Sequence, residues 1–318
     1  MISSSESTIH VACAADADYV QPMATMLRSL FANVDPVRAI HVHALDGGID
    51  EQDKAKIAES CDHRGSIHWI QASDSRFPGA PLWGRMPVST YYKLLIADRL
   101  PMELDKVVWL DCDMVVLGDV SRLWDHDLAG RHALATQDAV VPHVSSRSGV
   151  AAWQELGLPA VASYFNAGVM IIDLALWRRD RVGLRALDYV RTHRDRVCFL
   201  DQEGLNAVLA GLWGELDPRW NHNVSIPGAS TRAGRDPWIV HYAGNLKPWR
   251  QGVRKPSDGL YFHYLDQTPW KGSRPTWSPV AALVTLYERI GARKVLYPLE
   301  EWVMRGVRWM SRRSVAAE

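Results

Sequence analysis

Two carboxylates one residue apart follow an apolar run: residues 106–110 read KVVWL, and Asp111, Cys112 and Asp113 come next. The run predicts a strand that ends at this acidic pair. Ligands of open α/β sheets bind at the carboxyl ends of strands. Two carboxylates at this spacing can share a hard divalent cation, and the cation can neutralise a diphosphate. The alternative is a strand-ending turn, because so short a motif also occurs by chance.

Three further segments carry polar residues beside predicted strands. An acidic pair follows the first strand, an amide and a glycine precede a buried strand, and an imidazole, a glycine and a lysine follow another: Asp16 and Asp18, Asn166 and Gly168, and His241, Gly244 and Lys247. A histidine ligand shifts the preferred ion from Mg²⁺ towards Mn²⁺. Glycine lets the backbone approach a phosphate closely, and lysine supplies a point charge for it. Each segment alone has an ordinary structural explanation, but together they predict a metal-diphosphate site.

The elements that must position these residues alternate between two periodicities. Short apolar runs predict strands, and apolar residues spaced three and four apart predict helices. The strands are expected at 9–13, 40–45, 67–70, 106–110, 132–136, 169–172 and 238–241, and the helices at 23–31, 51–59 and 91–97. This β-α-β-α-β order predicts a Rossmann-like α/β fold, a mostly parallel sheet with helices on both faces.

Composition excludes several classes of protein. Lys and Arg total 36 of the 318 residues and Asp and Glu also total 36, so the zero net charge argues against a nucleic-acid partner. The apolar runs fall short of the roughly 18 residues that span a bilayer. The amino-terminal residues MISSSESTIH lack the basic and apolar regions of a secretory signal, and the four cysteines are too scattered for a disulfide framework. We therefore expect a soluble, cytoplasmic protein.

The composition changes near residue 250. We expect residues 1–250 to form the catalytic domain, and residues 251–318 to form a Trp-rich loop and a helical tail, with helices at 280–290 and 299–313. Residues 289–313 hold seven basic and two acidic side chains, and half of the fourteen Trp lie from Trp220 onward. Two interpretations of the basic helix stay open. It packs on the domain, or it lies on anionic lipid at the inner face of the plasma membrane.

With these motifs in this order, residues 9–249 resemble glycosyltransferase family 8, the retaining, metal-dependent sugar-nucleotide transferases. The resemblance is greatest to the bacterial lipooligosaccharide and lipopolysaccharide galactosyl- and glucosyltransferases. It implies a GT-A fold, UDP-galactose or UDP-glucose as the donor, and Mn²⁺ as the cofactor, with Mg²⁺ as the alternative ion. It also implies an oligosaccharide or lipid-linked acceptor in the synthesis of lipopolysaccharide or another cell-surface glycan.

The resemblance also implies roles for individual residues. The implied metal ligands are Asp111, Asp113 and His241. The residues implied to bind the nucleotide, the diphosphate and the donor sugar are Ala14, Asp16, Asp18, Lys93, Asn166, Ala167, Gly244 and Lys247. The implied catalytic residues are Asp138, Asp201 and Gln202. Asp18 stands where the family often has Asn, and Lys93 where it often has Arg. Because Arg clamps a sugar bidentately and Lys cannot, the choice of sugar stays open.

Gln202 bears on the mechanism, because a neutral amide is a poor nucleophile. We therefore expect front-face attack, with the departing phosphate activating the acceptor hydroxyl, rather than a covalent intermediate. Two alternatives to a glycosyltransferase remain. A module that binds a nucleotide sugar without transferring it would be expected to have lost part of the site, and this set is intact. A nucleotidyl- or phosphotransferase would also use paired carboxylates, but the sequence has no P-loop.

Overall fold

The computed structural model describes residues 8–72, 77, 79–81, 88–224, 236–244, 247–252 and 256–275. The chain divides into two compact units, residues 1–248 with 253–273, and residues 249–252 with 274–318. The strands and helices given below belong to the first unit, except the short helix Pro248–Gln251, of which residues 249–251 belong to the second. The helices predicted at 280–290 and 299–313, and with them the basic segment 289–313, lie outside the described residues. The boundary at residue 250 stays a prediction.

Strands and helices alternate along the first two-thirds of the chain. The strands are β1 Thr8–Ala15, β2 Ala39–Asp46, β3 Gly65–Gln71, β4 Lys106–Leu110, β5 Met114–Val116, β6 Ala133–Gln137, β7 Phe165–Asp173, β8 Trp213–Glu215, β9 His222–Asn223 and β10 Ile239–His241. The α-helices are α1 Val20–Asn33, α2 Glu51–Glu59, α3 Ile96–Arg99, α4 Ser121–Trp124, α5 Leu174–Arg179, α6 Val182–Thr192, α7 Leu200–Leu209, α8 Pro248–Gln251 and α9 Pro256–Leu265. Three 3₁₀ helices span Ala17–Tyr19, Val88–Leu95 and Pro218–Asn221.

The central sheet has seven strands in the order β3-β2-β1-β4-β7-β6-β8. Six of them run in one direction, and β7 is antiparallel to both of its neighbours, β4 and β6. The mostly parallel α/β fold predicted from the sequence is therefore confirmed. A second, three-stranded sheet has the order β5-β10-β9. Its strands β5 and β9 were not predicted, because two or three residues are too few to show a period.

Alternating side chains of the sheet feed two hydrophobic cores. On β4, Val107 and Trp109 belong to one core, and Val108 and Leu110 belong to the other. Helix α1 covers the second core, and α6, α7 and the 3₁₀ helix Val88–Leu95 cover the first. A strand that is buried on both faces reads as a continuous apolar run, which is why β4 could be recognised from KVVWL. Fully burying each such side chain contributes roughly 1.5–3 kcal/mol.

A break in the pairing of β7 shapes the edge where the strands end. Ala135 of β6 pairs with Met170, but the next residue, Thr136, pairs with Asn166, so the register shifts by three residues. On its other side β7 stays paired with β4 up to Leu110, and the Gly168 carbonyl accepts a hydrogen bond from the Asp111 N–H at 2.9 Å. Such bulges bend a strand and redirect its side chains. Strand β7 also begins earlier than predicted, which places Asn166 within the strand.

None of the helices in the described residues combines the length and the apolar composition that a membrane span requires.

Candidate active site

The acidic pair and the predicted imidazole come together at the carboxyl end of β4. Asp111 and Asp113 lie in the short link between β4 and β5, and His241 ends β10. Because β10 pairs with β5 and His241 stands opposite Met114, the register itself brings His241 beside Asp113. One ligand atom from each of the three residues lies within 4.8 Å of the others. These are the three residues that the resemblance to the family implied as metal ligands, and their arrangement could hold a metal ion.

The chemistry of this cluster fits a divalent cation. Asp113 Oδ1 is buried and accepts no hydrogen bond from the described residues, although His241 Nε2 lies 3.2 Å away. Three carboxylates, those of Asp111, Asp113 and Asp201, face the ammonium groups of Lys93 and Lys247. With His241 neutral, this cluster has an excess of negative charge, and two of its carboxylates, Asp113 and Asp201, are buried, which is costly without a counter-ion. Carboxylate and imidazole donors suit Mn²⁺ better than Mg²⁺.

Lys93 joins the metal-ligand cluster to the predicted catalytic residues. Its Nζ lies 3.0 Å from Asp111 Oδ1 and 3.1 Å from Asp201 Oδ2, and it donates a hydrogen bond to the Ala167 carbonyl at 3.3 Å. Burial alone would lower the pKa of Lys93, but the two carboxylates outweigh burial and raise the pKa above its ordinary value. Burial raises the pKa of Asp201, and Lys93 only partly opposes that shift. Lys93 is therefore a fixed positive charge between Asp111 and Asp201.

Lys247 plays the corresponding part beside Asp113. Its Nζ contacts Asp113 Oδ2 and donates to the Tyr242 carbonyl at 2.8 Å. Burial would raise the pKa of Asp113, but Lys247 and His241 outweigh it and hold this pKa well below its usual range. Between β10 and Lys247 the chain passes through Gly244, whose φ of 84° lies in the left-handed region that favours glycine.

Asp138 and Gln202 form a network of fixed hydrogen bonds. Asp138 Oδ1 accepts the backbone N–H groups of Val140 and Val141, at 2.8 and 2.9 Å. Its Oδ2 accepts Asn166 Nδ2 at 2.9 Å and Gln202 Nε2 at 3.2 Å. At its other end, Gln202 Oε1 accepts the Ala167 N–H at 3.1 Å. The Gln202 amide is thus held at both ends, in the first turn of α7.

The acidic residues after β1 reach the same edge through other partners. Asp16 Oδ1 accepts the Asp18 N–H at 3.1 Å, and Asp16 Oδ2 accepts the Ser89 hydroxyl at 2.8 Å. Ser89 and Lys93 lie on one 3₁₀ helix, which therefore connects Asp16 with Asp111. The Ala14 carbonyl lies 3.1 Å from the Cys112 sulfur, between the two acidic residues of the motif. Asp18 itself is exposed.

Three residues of the site were given no role by the sequence analysis. The Trp109 indole donates to Asp111 Oδ1 at 2.8 Å, Ser89 holds Asp16, and Asn221 lies between His241 and Asn166. Trp109 looks like any buried strand residue, Ser89 lies near the start of the 3₁₀ helix Val88–Leu95, and Asn221 ends a four-residue 3₁₀ helix too short to show a period. Gly168, which the sequence did single out, has a steric reason: a Cβ there would lie 2.5 Å from His241 Cε1.

Comparison with known proteins gives one consistent result. The model of Glycosyl transferase family 8 matches residues 10–252. The chain is 30% identical over 281 residues to General stress protein A of Bacillus subtilis (strain 168). The aligned region covers 83% of this chain and 96% of that protein. The chain is also 26% identical over 279 residues to Lipopolysaccharide 1,2-glucosyltransferase of Escherichia coli (strain K12). Here the aligned region covers 84% of this chain and 80% of that protein.

Among solved structures, this protein is similar to the crystal structure of galactosyltransferase LgtC in complex with donor and acceptor sugar analogs. Its TM-score is 0.71 at 26% identity, over 86% of this chain and 98% of that chain. A mostly parallel sheet with acidic and basic residues at its carboxyl edge, in a fold shared with that enzyme, defines a glycosyltransferase of the GT-A type. The chain belongs to glycosyltransferase family 8, as its motifs had suggested.

Proposed function

We propose that the protein is a retaining hexosyltransferase that depends on Mn²⁺, with Mg²⁺ as the alternative ion. It moves galactose or glucose from a UDP-sugar to a saccharide or lipid-linked acceptor in the synthesis of lipopolysaccharide or another cell-surface glycan. The Escherichia coli relative is named a lipopolysaccharide glucosyltransferase, and the solved structure is a galactosyltransferase with donor and acceptor sugar analogs. Both names support a hexose donor and a glycan acceptor.

The observation that carries the proposal is the continuity between the metal-ligand cluster and Gln202. The Ala167 peptide accepts a hydrogen bond from Lys93, which pairs with Asp111, and donates one to Gln202. A site with this continuity can hold a diphosphate and a sugar side by side. We assign the metal to Asp111, Asp113 and His241. A divalent cation bound there would neutralise the charge that develops on the diphosphate as it leaves.

The residues of the chain have separate tasks in this reaction. Lys247 supplies a second positive charge for the leaving diphosphate, with Gly244 allowing its close approach. Asp16 and Asp18 bind uracil and ribose beside Ala14. Lys93, Asp138, Asn166, Ala167 and Asp201 bind and orient the donor sugar.

Gln202 faces the sugar in the transition state. Because its amide is anchored by Asp138 and Ala167, its oxygen is preorganised to stabilise positive charge at the anomeric carbon. A neutral amide is a poor nucleophile, so the acceptor hydroxyl attacks the same face from which UDP departs and gives its proton to the departing phosphate. The intact set of charged residues argues against a module that only binds nucleotide sugars.

We also propose that the protein acts in the cytoplasm and that its basic segment, residues 289–313, rests on the inner face of the plasma membrane. Co-sedimentation of the full chain with vesicles tests this. Binding to anionic but not to neutral vesicles, lost when Arg305, Arg308, Arg312 and Arg313 are changed to Gln, is the expected result. Equal binding by the variant would show that these four Arg do not bring the protein to lipid, and absence of wild-type binding to anionic vesicles would favour the interpretation that the segment packs on the domain.

The proposed activity is tested by measuring UDP release from UDP-glucose and from UDP-galactose, each with Mn²⁺ and with EDTA. We expect slow hydrolysis of one donor that stops when EDTA removes the metal. UDP that binds with Mn²⁺ and is released from neither donor, with saccharide and lipid acceptors also supplied, would favour the binding module. Release of pyrophosphate would indicate a nucleotidyltransferase.

A further inference from the structure

A chain of hydrogen bonds connects the imidazole of His241, in the metal-ligand cluster, with the carboxylate of Asp138 beside Gln202. His241 Nδ1 lies 2.8 Å from Asn221 Oδ1, and Asn221 Nδ2 lies 2.8 Å from Asn166 Oδ1. Asn166 Nδ2 then lies 2.9 Å from Asp138 Oδ2. Two amides thus bridge the two halves of the site, and Asn221 is the one in contact with the imidazole.

The donor and acceptor roles along this chain of hydrogen bonds are fixed by two groups, one of which can only donate and the other only accept. The Gly168 N–H donates to Asn166 Oδ1 at 3.0 Å, and an ionised Asp138 can only accept, so the orientation of the Asn166 amide is determined. Asn221 must therefore donate its Nδ2 to Asn166 Oδ1, which leaves its Oδ1 for the imidazole. In its neutral form, the one that can bind a metal, His241 must in turn carry its single proton on Nδ1, so that Nε2 has a lone pair beside Asp113.

The backbone around Asn221 keeps it in this place. Asn221 ends the 3₁₀ helix Pro218–Asn221, whose preceding residue, Asp217, accepts the Arg219 N–H. The neighbouring Trp220 is 1% exposed and anchors the turn in the core. The next residues form β9, which pairs in parallel with β10, so Asn221 and His241 are positioned by one small sheet.

We infer that Asn221 is a positioning residue that holds His241 in the tautomer and orientation needed to bind the metal. Partners of this kind fix the ring of a ligating histidine, and removing them typically lowers metal affinity. The inference rests on the proposed function, because it takes His241 to be a metal ligand. It adds a residue to which the sequence analysis gave no role.

Binding of Mn²⁺ alone to the full chain, followed by electron paramagnetic resonance of the free ion, tests the inference. Asn221→Leu keeps the size of the side chain but cannot accept the Nδ1–H, and we expect its Mn²⁺ affinity to fall about 10- to 100-fold. Asn221→Asp keeps an oxygen for the imidazole but loses the donor to Asn166 Oδ1, and its affinity should recover part of this loss. A role confined to stabilising the fold would not separate the two variants by metal affinity.

Asn33→Leu is the matched control. Asn33 also has a hydrogen-bonded amide, which donates to the Ser29 and Val116 carbonyls and to the Tyr264 hydroxyl, but it touches none of the site residues. We expect it to lose stability and to bind Mn²⁺ as the wild type does. Wild-type affinity in Asn221→Leu would overturn the inference and leave the proposed function standing. Failure of the wild type to bind Mn²⁺ would instead overturn the proposed metal site, and the inference with it.

A measurement on the unaltered protein keeps the test independent of how well the variants fold. Nitrogen-15 NMR of the full chain, with His241→Gln used only to assign the signal, reports which ring nitrogen carries the proton in the neutral imidazole. We expect Nδ1 to be protonated in the metal-free protein. A signal from the Nε2–H tautomer would contradict the direction of the hydrogen bonds and overturn the inference.

Discussion

Lys93 and Asp201 form a buried ion pair, with 3.1 Å between Nζ and Oδ2, and the same ammonium group lies 3.0 Å from Asp111. The ammonium group of Lys93 therefore pairs both with Asp111, a predicted metal ligand, and with Asp201, the residue next to Gln202. The pair is doubly constrained, since Lys93 also donates to the Ala167 carbonyl. Its removal should affect the stability of the protein as well as its chemistry.

Replacing Lys93 by Met leaves the Asp201 carboxylate buried without its counter-ion. Breaking a buried pair in this way costs about 3–5 kcal/mol, so we expect the free energy of unfolding to fall by that amount. Urea unfolding followed by circular dichroism measures it. Arg196→Met is the matched control, because it breaks the exposed pair with Glu155 and should change stability little. An equal free energy of unfolding for Lys93→Met and wild type would show that the ion pair does not stabilise the folded protein.

Gly168→Ala tests the packing of the bulge on His241. The added Cβ would lie 2.5 Å from His241 Cε1 and 2.8 Å from Met114 Cε, so the imidazole must move. We expect Mn²⁺ affinity to fall about tenfold or more, as for other changes that misplace a ligand. Gly259→Ala, where no atom lies within 4 Å of the new Cβ, is the control and should bind Mn²⁺ normally. Unchanged affinity in Gly168→Ala would argue that His241 does not bind the metal.

Gln202→Glu would place a second carboxylate against Asp138, where the amide now donates at 3.2 Å. Two carboxylates this close raise the pKa of one of them, because both cannot be charged cheaply. We expect the variant to be impaired at neutral pH and to regain part of its activity in mild acid, where the pair holds one proton. The pH dependence of UDP release measures this. A profile parallel to that of the wild type would contradict the contact, and wild-type turnover in Gln202→Ala would remove Gln202 from the mechanism.

A cluster of histidines on β1, β2 and β3 predicts a loss of stability in acid. Burial, followed by the nearby His41, His10 and His68, lowers the pKa of His43 from 6.5 to about 3. The folded protein thus takes up this proton less readily than the unfolded chain does. The contribution of His43 is complete above pH 6.5 and is lost as the pH falls towards 3.

Between pH 7 and pH 4.5, His43 alone should account for a fall on the order of 2 kcal/mol in the free energy of unfolding. We expect His43→Gln to show a smaller acid-induced fall than the wild type. Other groups also titrate in this range, and the difference between the two proteins isolates His43. Exchanging His63, an exposed histidine, for Gln controls for the loss of a histidine as such. Parallel curves for His43→Gln and wild type would contradict the prediction.

Much of the fold could be predicted because β1, β2, β4 and β7 are buried runs flanked by amphipathic helices. The residues Asp111, Asp113 and His241 could be predicted as a group through the resemblance of their motifs to the family, although His241 ends β10 of the second sheet, which pairs with β5 and so lies beside Asp113. The bulge in β7 could not be predicted, since it depends on pairing with β6 and leaves no mark on the period of either strand.

The contacts of Asn221 lie further beyond sequence reasoning. Asn221 and Asn166 are 55 residues apart, and Asn221 and His241 are 20 apart, on elements that only the folded sheets bring together. An asparagine at the end of a short 3₁₀ turn resembles any turn residue. Its part in the site follows from the hydrogen bonds that orient the amides of Asn166 and Asn221 and the imidazole of His241. No local sequence pattern encodes these contacts.

The central claim is that this site transfers a hexose with retention of configuration and with the help of a metal. Time-resolved proton NMR of UDP-galactose or UDP-glucose incubated with the protein and Mn²⁺ tests it most directly. We predict that the α-anomer of the released sugar appears first and that EDTA abolishes its release. A β-anomer as the first product, or hydrolysis that continues in EDTA, would contradict the account.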